Sequence, residues 1–247
     1  MTLAPNEIHV LLIDLLKQDD VIQQCRQVLS ADEIGRADRF YFDRDRRRFT
    51  VARAAMREIL GRYTGIAAPD LSFSYGPKGK PELCGGLEQS GIKFNLSHSS
   101  ELALLAVTRG LTVGVDIEHI KADFATDDIA ERFFSATEVQ SLRSLPASQR
   151  AEAFFSCWTR KEAYIKALGE GLSVPLDSFA VAFAPGIAPA LLHVDVDPIE
   201  TERWSMYNIT VRDGYKAALV VEGSDHRLKQ MEWVRAPVPL RGGAIRK

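Results

Sequence analysis

The chain has 247 residues, of which 46% are hydrophobic and 26% charged, a composition typical of a globular protein with one large or two ordinary domains. Its formal net charge of −2 argues against general polyanion binding, so we expect no nucleic-acid partner. Scattered cysteines favour reduced thiols in a cytoplasmic protein, and the lack of an apolar run near the roughly 20 residues of a membrane helix predicts no membrane partner.

In chain order, the first half predicts a strand, then helices, then further strands. The apolar run IHVLLIDLL predicts a strand, and the capping box SADE at residues 30–33 predicts a helix start. A proline-free stretch from Arg44 to Tyr63 predicts a long helix that ends near Gly65. LSFSYG predicts a strand, and GPKGKPELCGG predicts a loop because of its glycines and prolines. IKFNLS, LALLAV and LTVGVDIE then predict an antiparallel set of strands.

The second half repeats this order loosely. The capping box SATE at residues 135–138 predicts another helix start, and a helix is expected from about Gln149 to Leu168. FAVAF, SMYNITV and YKAALVVEG predict strands. The result is an expected α+β protein of two similar lobes, residues 1–110 and 111–234, each a small antiparallel sheet packed with a long helix. Residues 235–247, rich in proline, glycine and basic residues, predict a flexible tail.

The segment GVDIE places Asp116 and Glu118 two residues apart in a predicted strand, so their carboxylates share a face. Taken alone, such a pair is more often a solvated strand face than a site. Two adjacent carboxylates are also hard oxygen ligands of the kind that Mg²⁺ uses together with substrate phosphate oxygens.

A second group lies in WTRKEAYIKALGEGL. Glu162 and Lys166 are four residues apart and share a helix face, one turn from Trp158. A surface Glu–Lys pair is the ordinary interpretation. A carboxylate beside a lysine is also what a metal–phosphate site needs, because the carboxylate can bind the metal or a proton and the lysine can neutralise phosphate charge.

Two further segments and one arginine add polar and cationic groups. FNLSHSS offers Asn95, Ser97 and His98, which could equally cap a strand end. The glycine-flanked loop GPKGKP carries Lys78 and Lys80, and an arginine-rich helix carries Arg48; each could be solvated or could bind phosphate. Together with the three carboxylates and Lys166, these groups predict a site for a polyphosphate substrate held with Mg²⁺.

The motifs RFYFDRDRRRF, GKPEL, FNLSHS, VGVDIE, RFFSATE and CWTRKEAYIKALGEGLSVPLDSF resemble, in order and spacing, those of the 4′-phosphopantetheinyl transferase superfamily. The resemblance covers about residues 30–220 and is to the long, single-chain type named for the surfactin synthetase activator. It implies two lobes related by a pseudo-twofold axis, with the active site at their interface, in a monomer.

The resemblance also implies a reaction. Coenzyme A would bind between the lobes with Mg²⁺, or alternatively Mn²⁺, on its pyrophosphate. The serine hydroxyl of an apo acyl, peptidyl or aryl carrier protein would attack the β-phosphate, and 3′,5′-adenosine bisphosphate would leave. The carrier pathways served would be those of fatty acids, polyketides or nonribosomal peptides.

Carried over by motif position, the resemblance assigns three metal ligands, and these are Asp116, Glu118 and Glu162. Glu162 would also be the general base, and Lys166 would stabilise phosphate charge. The expected coenzyme A contacts are Arg48, Lys78, Lys80, Asn95, Ser97, His98, Asp116, Glu162 and Lys166. Some members have a lysine where this chain has Glu33, and Arg36 is the candidate substitute. For the carrier protein we expect a mainly apolar contact that includes Phe124.

Two alternatives use the same residues. A two-metal nuclease also places D-x-E on a strand, but neither His193 nor His226 is followed by an aspartate five residues later, as that pattern requires. A non-catalytic coenzyme A or carrier-protein binding module would be expected to lack one of the carboxylates or Lys166, and all are present.

Overall fold

A computed structural model describes residues 1–121, 123–169 and 171–235. Its α-helices are α1 (Asp19–Arg26), α2 (Ala31–Asp38), α3 (Asp43–Thr64), α4 (Asp127–Phe133), α5 (Ala136–Ser144), α6 (Ala147–Leu168) and α7 (Glu200–Arg203). Its strands are β1 (Glu7–Asp14), β2 (Ser72–Tyr75), β3 (Pro81–Cys84), β4 (Ile92–Ser99), β5 (Leu102–Arg109), β6 (Val113–His119), β7 (Phe179–Val181), β8 (Leu191–Val194), β9 (Trp204–Asn208), β10 (Tyr215–Glu222) and β11 (Arg227–Glu232). The expected α+β class is confirmed.

The strands form two main sheets and two hairpins. The first sheet has the order β11-β1-β5-β4, the second has the order β6-β10-β9, and β2–β3 and β7–β8 pair as hairpins. We had expected β6 to continue the antiparallel set of β4 and β5. Instead β6 pairs with β10, because the chain passes from β5 to the second sheet at residues 110–112.

The two long helices have the same construction. Each spans 22 residues and ends at a glycine in the left-handed region, Gly65 at φ 76° and Gly169 at φ 76°. A residue with a Cβ is strained at such a φ, so glycine ends both helices cleanly. The predicted helix bounds agree with the structure to within two residues, counted from Arg44–Tyr63 and from Gln149–Leu168.

A buried carboxylate ties the capping-box helix to the long helix in each half. Glu33 of α2 accepts from Arg57 Nε at 2.5 Å and from Arg53 Nε at 2.8 Å, with all three side chains buried. Glu138 of α5 pairs with Lys161 at 2.7 Å and also accepts from the Val181 N–H at 2.8 Å. The Glu33 carboxylate is therefore committed to the core and is not available to a ligand.

Three apolar clusters make up the core. One lies between α3 and the first sheet, and one lies between α6 and the second sheet. The third joins the inner faces of the two sheets, with Val10, Leu104, Val115 and Leu219 among its members. This third cluster fixes the two sheets against each other, so β4 of one sheet lies beside β6 of the other.

Three differences from the sequence expectations concern short or polar segments. The predicted loop of residues 76–86 contains β3, which pairs with β2. The strand β11 returns to the first sheet and pairs parallel with β1, although residues 111–234 were expected to form the second lobe. Arg235, expected to begin a flexible tail, pairs with Glu58 at 3.0 Å; residues 236–247 lie outside the described residues.

Two composition-based expectations bear on the described part of the chain. Cys25, Cys84 and Cys157 are all free thiols. Among the described residues, no helix is both long and apolar enough to cross a bilayer.

Candidate functional site

The site begins where helix α6 lies directly on strand β6. A Cβ at Gly114 would stand 2.1 Å from the Ala163 carbonyl oxygen and 2.4 Å from the Ala167 nitrogen, so only glycine allows this approach. The backbones are therefore in contact two residues before Asp116 and beside Lys166. The first residue of GVDIE thus sets the distance between the strand carboxylates and the helix.

Asp116 is almost completely buried, with 1% of its surface exposed. Its Oδ1 accepts from Ser97 Oγ at 2.8 Å and from Lys166 Nζ at 2.5 Å. Its Oδ2 is buried and has no hydrogen-bond partner among the described residues. An unsatisfied carboxylate oxygen in the interior is costly, so this atom is a candidate to bind a ligand.

Glu118 lies one pleat further along β6 and is half-buried. Its Oε2 accepts from Ser99 Oγ at 2.6 Å. Burial raises the pKa of the Glu118 carboxyl, and the nearby Asp116 carboxylate raises it further, against the lowering effect of the Ser99 hydrogen bond. The two strand carboxylates therefore repel each other in a place where water is partly excluded.

Glu162 faces the same region from helix α6. Burial raises the pKa of its carboxyl to about 7, and the negative charges of Asp116 and Glu118 contribute to that rise. The three carboxyl groups, two from one strand and one from a helix, are thus close enough to interact electrostatically. Such a group gains most from a divalent cation, which would offset both the mutual repulsion and the loss of hydration.

Lys166 is the positive group closest to these carboxylates. Burial alone would lower the pKa of its ammonium, but the Asp116 carboxylate outweighs that effect and raises the pKa above its ordinary value. Nζ also donates to Ser97 Oγ at 3.0 Å, and the side chain is 30% exposed. Lys166 is therefore a fixed, fully charged cation at the edge of the site.

The strand β4 has two differently used faces. Asn95, Ser97 and Ser99 all point toward β6, where Asn95 Oδ1 accepts from the Val115 N–H at 2.8 Å. These side chains join two strands that belong to different sheets. Ser97 and Asn95 make contacts to β6 because alternate residues of a strand share a face, and their expected contact with coenzyme A stays a prediction.

His98 lies on the opposite face of β4 and is exposed. The protein around it nevertheless displaces water, which lowers the pKa of the imidazole. The cations Lys166, Arg36 and Arg48 lower it further. His98, Arg36, Arg48 and Lys166 therefore form an electropositive group beside the carboxylates, and the histidine is mostly neutral at neutral pH.

Arg48 keeps part of its guanidinium free. Its closest acidic neighbour is Asp45, at 4.0 Å, and its buried Nε has no hydrogen-bond partner among the described residues. Arg36, the candidate substitute for the missing lysine at position 33, is exposed and lies over the Phe49 ring at 5.3 Å. Both arginines lie close enough to His98 of β4 to lower the pKa of its imidazole.

The two lysines of the GPKGKP loop differ. Lys78 is exposed, and its side chain passes close to Gly171. Lys80 donates to the backbone carbonyls of Lys166 at 2.7 Å and Val113 at 3.2 Å, and burial lowers its pKa to about 8. Lys80 was expected to clamp phosphate; two of its three N–H donors are instead used to tie its loop to β6 and α6.

A cavity of about 200 Å³ is lined in part by Lys78, Lys80, Asn95 and Lys166, and none of the site carboxylates lines it. A larger cavity of about 550 Å³ lies on another face of α6, near Arg160 and Asn208, and contains none of the site carboxylates. The chemistry-bearing residues, and not the volume, therefore define the candidate site.

The carboxylates suit partial coordination of a divalent cation. No group of three or more His, Cys, Asp or Glu side chains within the described ranges is close enough to hold a metal ion unaided. Mg²⁺, however, is usually bound by one or two carboxylates together with substrate phosphate oxygens and water. The free Asp116 Oδ2 and the crowded carboxyl of Glu162 fit that partial coordination.

Sequence reasoning did not identify Ser99 or Gly114. The alternation in FNLSHS already indicates that residues 95, 97 and 99 share a face, so Ser99 could have been found by extending the pattern one step. The close approach at Gly114 had no such signal, because it depends on a helix 50 residues later in the chain.

Comparison with known proteins gives consistent matches along the chain. The family model described as "4′-phosphopantetheinyl transferase superfamily" matches residues 112–220, and that described as "4′-phosphopantetheinyl transferase, N-terminal" matches residues 17–109. The chain is 39% identical over 223 residues to the 4′-phosphopantetheinyl transferase HetI of Nostoc sp., covering 90% of this chain and 91% of that protein. It is 30% identical over 175 residues to the 4′-phosphopantetheinyl transferase Sfp of Bacillus subtilis, covering 71% and 75%.

The solved structure of the holo-[acyl-carrier-protein] synthase of Thermotoga maritima overlaps this chain less extensively. The overlap covers 46% of this chain and 64% of that chain, at 24% identity and a TM-score of 0.36. A similarity of that size supports no conclusion about the site.

Proposed function

The chain belongs to the 4′-phosphopantetheinyl transferase superfamily and transfers phosphopantetheine to carrier proteins, and we propose that Asp116, Glu118, Glu162 and Lys166 are the working groups of its active site. The observation that carries the proposal is the buried Asp116 carboxylate, whose Oδ1 is held by Ser97 and Lys166 and whose Oδ2 has no partner among the described residues. Glu118 and Glu162 lie close enough to interact with it electrostatically. The earlier resemblance to the long, single-chain type is confirmed by the length of the HetI match.

Asp116, Glu118 and Glu162 would hold Mg²⁺ together with the pyrophosphate of coenzyme A. When bound, the ion would neutralise the charge that builds on the phosphate oxygens. Lys166 supplies a positive charge on the other side of Asp116, and its contact with Ser97 fixes the direction in which it points. Phosphoryl transfer needs mainly such positioning and charge stabilisation.

Glu162 would accept the proton of the carrier serine. The serine oxygen forms a bond to the β-phosphorus, and the bond from that phosphorus to the bridging oxygen breaks. The electron pair leaves with 3′,5′-adenosine bisphosphate, whose new charge Lys166 can stabilise. The serine proton goes to Glu162 and later to water.

The adenosine end of coenzyme A would lie above β4. His98, Arg48 and Lys78 are the groups proposed to contact it, and Arg36 adds a third cationic group. In this proposal Asn95, Ser97 and Lys80 also position the protein around the substrate, since Asn95 Oδ1, the Ser97 hydroxyl and two of the three Lys80 N–H donors bind β6 and α6.

The two lobes are proposed to be related by a pseudo-twofold axis, with the active site between them. The repeated order of strand, capping-box helix, 22-residue helix, hairpin and two strands supports this relation. Because a single chain supplies both β4 and α6 to the cleft, a monomer can be active, and we propose that state.

The carrier protein is proposed to dock on the aromatic cluster that contains Phe124. This ring is 40% exposed and packs against Trp158 at 5.7 Å and Phe154 at 6.1 Å. Trp158 precedes Glu162 by one helical turn, so a carrier that covers Phe124 comes close to the proposed base. Phe124→Ala should raise the Michaelis constant for the carrier, and Leu192→Ala, at another exposed apolar residue, should not. An unchanged constant in both variants would remove Phe124 from the docking surface.

The proposal is tested with Asp116→Asn and Glu162→Gln in a transfer assay with coenzyme A, Mg²⁺ and an apo carrier. Each should lower kcat by at least about 100-fold, because each removes a charge that acts on the transferring phosphate. Glu152→Gln is the matched control, since Glu152 lies on the same helix and pairs with Lys216 at an exposed position. Full activity in both site variants would refute the assignment.

A further inference from the structure

Glu118 is held by a single polar contact. Its Oε2 accepts from Ser99 Oγ at 2.6 Å, and in the described part of the chain it has no other side-chain hydrogen bond and no ion pair. Asp116 is held differently, because both Ser97 and Lys166 donate to its Oδ1 and its surroundings are almost fully buried. The orientation of Glu118 is therefore much more dependent on one donor than that of Asp116.

The hydroxyl of Ser99 is itself fixed. The N–H of His119 donates to Ser99 Oγ at 3.1 Å, which uses a lone pair of the oxygen. The hydroxyl proton can then point to Glu118 without competition from that contact. His119 is the residue after Glu118. Ser99 therefore binds both a backbone N–H and a side-chain carboxylate at the C-terminal end of β6.

The consequence for Glu118 is a reduced choice of rotamers. A glutamate has three rotatable side-chain bonds, and on a half-buried strand end it would otherwise populate several rotamers. With Oε2 bound to Ser99, the remaining Oε1 is left for a ligand. The same division applies to Asp116, where Ser97 holds Oδ1 and Oδ2 is free.

We propose that Ser99 is a positioning residue that sets the affinity of the site for a divalent cation by fixing the orientation of Glu118. The proposal rests on the metal role assigned above to Asp116, Glu118 and Glu162. Ser99 contacts neither the reacting phosphate nor the carrier serine in this scheme; it acts through Glu118. Outer contacts of this kind typically change metal affinity by 10-fold or more when they are removed.

The test measures Mn²⁺ binding directly, by electron paramagnetic resonance titration of the full chain with coenzyme A present and no carrier protein. Ser99→Ala should weaken Mn²⁺ binding by about tenfold. Ser99→Thr, which keeps the hydroxyl, should recover most of the affinity. Ser205→Ala is the matched control, because Ser205 also lies on a strand and donates to a carbonyl, that of Gly223, at a distance of 2.6 Å.

Glu118→Gln distinguishes a failure of the proposed role of Ser99 from a failure of the metal site itself. If Glu118→Gln weakens Mn²⁺ binding and Ser99→Ala does so more than Ser205→Ala, the positioning role is supported. If Glu118→Gln weakens binding but Ser99→Ala behaves like Ser205→Ala, the role of Ser99 is refuted and the metal site stands. If neither Glu118→Gln nor Asp116→Asn changes Mn²⁺ binding, the metal assignment fails and the proposal for Ser99 fails with it.

A folding defect is excluded by urea unfolding of each variant. Should Ser99→Ala fail to fold, Ser99→Cys replaces it, since a thiol occupies the same place but is a weaker donor. The cysteine variant should then show reduced Mn²⁺ affinity, and wild-type affinity in that variant would overturn the proposal.

Discussion

At the scale of single residues, the carboxylates of GVDIE are oriented by side chains from a different sheet. Ser97 and Ser99 of β4 each donate to one carboxylate of β6, and Asn95 accepts from the β6 backbone. Side-chain hydrogen bonds thus take the place of a backbone ladder between these two strands. Asp116 Oδ2 has no partner among the described residues, and burial, with the charges of Asp116 and Glu118, raises the pKa of Glu162.

The first prediction at this scale is that Lys80 contributes to the stability of the fold and that Lys78 does not. Lys80→Met should lower the free energy of unfolding by about 1–3 kcal/mol, because two buried carbonyls lose their donor. Lys78→Met should leave stability unchanged within about 0.5 kcal/mol, since Lys78 is exposed. Urea unfolding of both variants measures the difference. Equal stability of the two variants would contradict the role given to Lys80 in joining the loop to β6.

The second residue prediction concerns Gly114. Gly114→Ala should destabilise the fold by about 3 kcal/mol or more, because the added methyl overlaps backbone atoms of α6 that cannot move aside independently. Gly35→Ala is the control: Gly35 lies in helix α2 with open space around it, so this change should stabilise by about 0.5–1 kcal/mol. A mild effect at Gly114 would show that the strand and helix are less closely packed than described.

At the scale of elements, the sequence predicted the long helices well because each carries its own local start and stop signals. Both capping boxes, both terminal glycines and the absence of proline are local signals, and they need no knowledge of the rest of the chain. The strand β11 had no such signal. Its segment RLKQME is mostly exposed and shows no clear alternation, so only its pairing with β1 makes it a strand.

The partner of β6 was also outside the reach of sequence reasoning. β4, β5 and β6 follow one another with short connections, and consecutive strands usually pair. Here the turn at residues 110–112 leads to the other sheet, and β6 pairs with β10 more than 90 residues later. Helix α6 also approaches this strand closely, at Gly114. That contact joins residues about 50 positions apart.

The prediction at this scale concerns how the pairing of β1 with β11 contributes to the free energy of unfolding at acidic pH. The Lys229 ammonium, with the Ala4 N–H, holds the pKa of Glu7 at about 2, below its ordinary value of 4.5. A lowered carboxyl pKa adds stability above pH 4.5, and that stability is lost as pH falls toward 2. Unfolding free energies of wild type and Glu7→Gln should therefore differ at pH 6 and converge between pH 4.5 and 2. A constant difference across this range would refute the pairing.

At the scale of the whole molecule, an apolar layer between the two sheets holds the halves together. Val10 and Leu104 from the first sheet meet Val115 and Leu219 from the second. Because this layer lies behind β6, on the face of the strand opposite Asp116 and Glu118, it gives the strand carboxylates an apolar support. The candidate site as a whole could be predicted from motif order, whereas the exact partner of each polar side chain could not, since it depends on this packing.

The chain end also contributes to the packing of the first half. Trp233 is 4% exposed, and Arg235 pairs with Glu58 of α3 at 3.0 Å and donates to the Gln24 carbonyl of α1. Arg235→Ala should lower the unfolding free energy by about 2 kcal/mol, because it leaves a half-buried carboxylate without its cation. In a Glu58→Gln background the same change should cost clearly less. Equal costs in both backgrounds would show that the ion pair contributes nothing.

The central claim is that the cleft formed by β6, α6 and β4 transfers phosphopantetheine from coenzyme A to a carrier serine. The most direct measurement is the intact mass of an apo carrier protein after incubation with the chain, coenzyme A and Mg²⁺. The carrier should gain about 340 Da, the mass of one phosphopantetheinyl group, with wild type and not with Asp116→Asn. No gain with acyl and peptidyl carriers alike, or an equal gain with Asp116→Asn, would contradict the claim.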